Sequence, residues 1–206
     1  MSAIFGLFGC GLLCVAVAAS ALRLRRLPIN ARMAAMLFAA LAVFVPLGNL
    51  SIAAYLRGVT GDLSIATLVL AGAACLAQLT GRTAIERRDL RVLAWLVVSG
   101  AAFLYPFALG WTRFDSYALG YGSIEFVTAL LLVTLAAWHF RCAVPVIIVI
   151  AAALAYLAGA YESRNLWDYL IDPLVASYAL IWLLAGARRP SEPTESRGIP
   201  MKGVVK

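Results

Sequence analysis

The sequence predicts an all-α integral membrane protein, a bundle of about seven transmembrane helices joined by short loops. Three observations carry that reading. Of the 206 residues, 64% are hydrophobic and only 13% are charged, whereas soluble domains run nearer half and a quarter. Mean hydropathy is +0.92, more apolar surface than a water-soluble fold of this length can hide. The apolar residues fall into seven runs, and the charged residues fall between them.

The runs cover residues 3–22, 33–50, 63–79, 92–110, 124–140, 143–160 and 167–187. The fifth and sixth are separated only by Arg141 and Cys142, which predicts a tight turn, with Pro145 helping to start the next helix. Pro46 and Pro106 lie inside the second and fourth runs and predict a kink in each. Residues 188–206 are polar and contain proline, and read as a flexible cytoplasmic tail.

Charge gives the expected orientation. Only Arg57, Arg113 and Arg164 fall on one side of the runs, leaving fourteen of the seventeen basic residues on the other. The positive-inside rule then places the N-terminus out and the C-terminus in, with an odd number of crossings. Trp111 and Trp167 are expected at the outer interface, and Trp95, Trp138 and Trp182 toward the inner one. An Arg- and Ala-heavy composition points to a bacterial inner (cytoplasmic) membrane, with the acidic loops facing the periplasm.

Several activities are excluded by what the spans lack. No Asp, Glu, Lys or Arg lies near the middle of any run, so a proton-driven transporter with a charged midplane site is disfavoured. Both lysines, Lys202 and Lys206, are in the tail, which removes a Schiff-base lysine on the last span. His139 is the single histidine, so a bis-histidine haem within the chain is impossible. No phosphate-binding loop, nucleophile elbow or zinc-binding His pair is present. Cys10, Cys14, Cys75 and Cys142 sit in or beside apolar runs and read as buried thiols. No metal, cofactor or catalytic residue is assigned, and no nucleic acid is expected as a partner.

The outer loops hold the remaining chemistry. Asp62, Glu125 and Asp172 are expected in the first turns of spans three, five and seven, capping orphan N–H groups and complementing the helix dipole. Asp115, Glu162 and Asp168 have no such role and share that surface with Arg57, Arg113 and Arg164. Arginine suits bidentate binding of phosphate or carboxylate. These six residues are therefore the candidate ligand site, with an anionic lipid head group as the expected ligand. Asp168 stands out, one helical turn before Asp172 and close in sequence to Arg164.

The functional reading favoured by these features is a non-catalytic accessory, scaffold or regulatory component of cell-envelope machinery. Its partners would be the lipid bilayer and a membrane protein complex or a second copy of the chain. The alternatives are an outer-leaflet enzyme acting on lipid-linked or phosphate-bearing substrates, and a transporter of a small uncharged solute or lipid.

Overall fold

The computed structural model describes residues 2–111 and 113–187; the tail expected over 188–206 lies outside them. Among the described residues the chain is helical, apart from short connections and one two-stranded hairpin. Helix α1 (Ser2–Ala21) is followed by a 3-10 turn (Leu24–Arg26) and α2 (Ile29–Ala42). Strands β1 (Pro46–Leu47) and β2 (Leu50–Ser51) pair antiparallel and lead into α3 (Ile52–Thr60). Then come α4 (Ile65–Thr80), α5 (Arg87–Ala108), a 3-10 turn (Tyr117–Gly120), α6 (Ile124–His139) and α7 (Ala143–Leu157). The short α8 (Leu166–Leu170) precedes α9 (Pro173–Ala187).

The expected all-α class is what the structure has, and the lengths refine it. Two helices, Ala3–Ala21 and Arg87–Ala108, are long and apolar enough to cross a membrane. The other apolar helices, α2, α4, α6, α7 and α9, have 14 to 16 residues. That is roughly 21–24 Å at 1.5 Å per residue, short of a hydrocarbon core of ~30 Å.

Two of the expected spans are interrupted for visible reasons. The second, expected over 33–50, starts earlier and stops at Ala42. Pro46 does not kink a helix there; it lies in the hairpin, whose turn is completed by Gly48 at φ 80°. The seventh breaks at Ile171 and Asp172, which separate α8 from α9. A proline cannot supply an N–H to the turn before it, and the residue ahead of it disfavours the helical region. Pro106, by contrast, stays within α5, near its end.

Serines set several helix starts. Ser51, Ser64 and Ser123 each accept a hydrogen bond from the backbone N–H three residues on. Glycines at positive φ end α3 and α4, at Gly61 and Gly81.

The helices run back and forth, so each end of the bundle has its own chemistry. At the basic end, Arg32 donates to Leu79 O at the end of α4 and to Arg25 O and Leu27 O. Arg88 donates to Phe140 O at the end of α6. Cations at carbonyl-bearing helix ends offset the negative pole of the helix dipole. The acidic end carries the hairpin, α3, α8 and the starts of α4, α6 and α9.

Packing is in two clusters that share α4. One joins α1, α2, α3 and α4 around Cys10, Ala16, Met36, Ala53 and Leu63. The other joins α4, α5, α7, α8 and α9 around Ala66, Ala94, Ile148, Ala152 and Tyr169. Ala53, Ala66 and Ala152 are fully buried. Small residues at these crossings let backbones approach and gain dispersion contact without relying on expulsion of water. All four cysteines are free thiols, as their apolar settings predict.

Candidate functional site

The acidic end is built by two loops that lock onto one another. Asn165, fully buried, donates through Nδ2 to Tyr117 O (2.8 Å) and accepts the Trp167 N–H at Oδ1 (3.0 Å). Trp167 donates its indole N–H to Ser116 O (3.0 Å), and Ser116 donates its hydroxyl to Leu104 O (2.9 Å). A Cβ on Gly120 would overlap Asn165 Oδ1, so a side chain there cannot coexist with this contact. Trp167 is therefore a core residue at 6% exposure, stacked on Phe126 at 4.3 Å, and not the interfacial belt residue its position predicts. Trp111, at 77% exposure, is available to an interface.

Asp172 is 6% exposed and has both oxygens engaged. Oδ1 accepts from Val175 N–H (2.8 Å) in the first turn of α9. Oδ2 accepts from Ser64 N–H (2.8 Å) and from the Thr67 hydroxyl (2.6 Å) at the start of α4. One carboxylate thus ties together two helix starts 108 residues apart in sequence. Its oxygens lie at the N-terminal, positive poles of both helices.

The helix-start role expected for Asp62 falls instead to Ser64. Helix α4 begins at Ile65, and Ser64 accepts the Thr67 N–H. Asp62 lies ahead of that cap and meets the Arg57 Nε at 2.8 Å. A Cβ on Gly6 would collide with Asp62 and Arg57, so the absence of a side chain on α1 makes room for this pair. Glu125 is in the first turn of α6, where the cap itself is Ser123.

The six residues expected to form one ligand site are dispersed. Arg57 pairs with Asp62, and its Nη2 is 3.8 Å from Glu162, which is 72% exposed. Exposed pairs of this kind contribute about 0–1 kcal/mol. Arg113 and Arg164 are exposed and make no ion pair among the described residues. Asp115 accepts the Tyr117 N–H (2.9 Å) and Ala118 N–H (3.3 Å), a local turn that holds the 3-10 segment.

Asp168 is the exception. Its Oδ2 accepts from the Tyr117 hydroxyl (2.9 Å) and from the Ser163 hydroxyl. Tyr117 pKa is pushed up to about 12, first by burial and then by this bond to Asp168. Nearby, Tyr161 donates to Leu63 O and is likewise raised, chiefly by burial. Tyr169, fully buried, accepts the Tyr161 N–H and donates to Ser163 O, both at 3.1 Å.

Asp168 also lines a cavity of about 440 Å³, bounded on its polar side by Thr60, Asp62, Tyr105, Tyr117, Ser163 and Asp172. None of the three arginines lines it. The sequence pattern did not indicate this grouping, because its walls come from α3, α5 and the two loops, brought together only by tertiary packing. Nor did it indicate Asp89, a buried carboxylate in the first turn of α5 that accepts the Val144 N–H (3.0 Å) at the start of α7. Among the described residues, no group of three or more His, Cys, Asp or Glu could hold a metal ion. Comparison with known protein families, characterised proteins and solved structures finds no match to the chain.

Proposed function

We propose that the chain is a multi-pass protein of a bacterial inner membrane, crossing it seven times with the N-terminus out and the C-terminus in. In this reading it is a non-catalytic component of envelope machinery. The observation that carries the membrane assignment is the outer surface of the helices. Phe38 is 74% exposed, Leu132 62%, Leu154 62% and Ile181 66%, on four different helices. Such surface is costly in water and is the ordinary lipid-facing surface of a bundle. The short helices are compatible with crossing because flanking segments such as the hairpin, α3 and α8 extend the path of the chain. Segregation of the arginines supports the orientation.

The non-catalytic assignment rests on how the acids are used. Asp172, Asp115 and Asp89 each accept backbone N–H groups, and Asp62 pairs with Arg57. These are fixing interactions; Asp89 makes one at the basic end, and the others hold the acidic end in a form suited to presenting a constant surface to a partner. The test is extraction from native membranes in a mild detergent, followed by native electrophoresis. Migration within a larger assembly of reproducible composition is expected. A monodisperse single copy would contradict the scaffold reading.

A further inference from the structure

From the walls of the acidic-end cavity we infer that it is a binding site for a primary ammonium group. Several oxygen atoms on the walls are left unpaired among the described residues. Asp168 Oδ2 holds two hydroxyl donors, while its Oδ1 accepts nothing among the described residues. Asp62 Oδ1 is taken by Arg57, while its Oδ2 accepts nothing among the described residues. The Tyr105 hydroxyl oxygen is buried and has no hydrogen-bond partner among the described residues. Asp62, Tyr105, Asp168 and Asp172 all line the same cavity, so these groups surround one space.

The charge balance has the same sign. Asp62 is offset by Arg57, but Asp168 and Asp172 have only neutral donors and no ion-pair partner among the described residues. Asp172 has three donors at two helix starts, whereas Asp168 has two neutral hydroxyls on one oxygen, and a cation in the cavity would offset the cost of partly burying that carboxylate. The free carboxylate oxygens only accept and the Tyr105 hydroxyl can accept, so a donating occupant can meet all of them. An ammonium with three N–H donors meets this requirement, and a quaternary ammonium, with none, does not. The rings of Tyr105, Tyr117 and Tyr161 add a surface that attracts a cation. A divalent metal is disfavoured by the absence of a suitable ligand group among the described residues. The volume, about 440 Å³, is within the range of small-molecule sites.

The amine could be carried by a lipid head group or by a free soluble molecule; the chemistry at the wall is the same. The full chain, purified in a non-ionic detergent, is heated with ethanolamine hydrochloride, choline chloride or sodium chloride at matched ionic strength. The expected result is a saturable rise in Tm of about 2–8 °C with ethanolamine and no more than the salt effect with the other two. Asp168→Asn should abolish the rise. If that variant does not fold, Tyr105→Phe, which removes only the unpartnered hydroxyl, should reduce it. A second arm compares nanodiscs of phosphatidylethanolamine and phosphatidylglycerol by native mass spectrometry after detergent transfer. Retained phosphatidylethanolamine assigns the amine to lipid; a rise with free ethanolamine and no retained lipid assigns it to a soluble amine. Equal shifts for ethanolamine and sodium chloride with no retained phosphatidylethanolamine would overturn the inference. So would a full ethanolamine response in both variants.

Discussion

Replacing Asp172 with alanine is the perturbation whose cost can be worked most fully from the structure. The carboxylate accepts three hydrogen bonds: from Ser64 N–H at 2.8 Å, Thr67 Oγ1 at 2.6 Å and Val175 N–H at 2.8 Å. Losing the Val175 bond removes the cap of α9, which costs about 1 kcal/mol. Ser64 N–H is then left buried without an acceptor, at about 1–3 kcal/mol. The Thr67 hydroxyl loses its acceptor too, at about 1 kcal/mol, because Ser64 Oγ, 3.4 Å away, donates to Thr67 Oγ1 and does not accept from it. The total is about 3–5 kcal/mol. Asp172→Asn should cost about half as much, since its amide oxygen can keep one side of the link and its NH2 faces donors on the other. Reversible unfolding in mixed detergent micelles, followed by circular dichroism, measures both. A loss below about 1 kcal/mol for Asp172→Ala would refute the claim that this carboxylate holds α4 and α9 together.

Three further outcomes follow from the same contacts. Asp89→Ala should destabilise the chain by about 1–3 kcal/mol by orphaning the Val144 N–H, whereas exposed Glu86→Ala should change stability by less than about 0.5 kcal/mol in the same unfolding assay. Gly120→Ala should cost about 1–3 kcal/mol by displacing Asn165, and should raise the exposure of Trp167, read as a red shift of its fluorescence. Tyr117 titrates near 12 in the folded chain against an ordinary value of 10.0. A raised folded pKa means its contribution to stability is complete below pH 10 and is lost as pH rises through about 12. Tyrosinate absorbance should accordingly show a group titrating near 12 that is missing in Tyr117→Phe.

Helix positions were legible in the sequence because they depend on local apolar runs. The end of α2 was not, since residues 33–48 carry no polar side chain and the pairing of Pro46 with Ser51 turns the end of the run into a hairpin. Asp172 could be read as a helix-start acid from its place before Pro173. Its second role, across 108 residues to Ser64, has no local signature. Asp62 shows the converse: Gly-Asp ahead of an apolar run looks like a cap, but Ser64 two residues later takes that place and leaves Asp62 for Arg57. Trp167 was misplaced for a related reason. A tryptophan near a span end resembles a belt residue unless its indole has an internal acceptor, and Ser116 O supplies one from a distant loop. The three arginines were grouped because they share a side; among the described residues only Arg57 has an acidic partner.

The membrane topology is tested most directly by cysteine accessibility in intact cells. In a background with the four native cysteines replaced, single cysteines at Gly58 and Tyr121 report the acidic end, and one at Arg82 reports the basic end. Nothing crowds Gly58, and Tyr121 is 60% exposed. The account predicts labelling of Gly58→Cys and Tyr121→Cys by a membrane-impermeant maleimide added outside, and labelling of Arg82→Cys only after permeabilisation. Equal labelling of all three, or the reverse order, would contradict it.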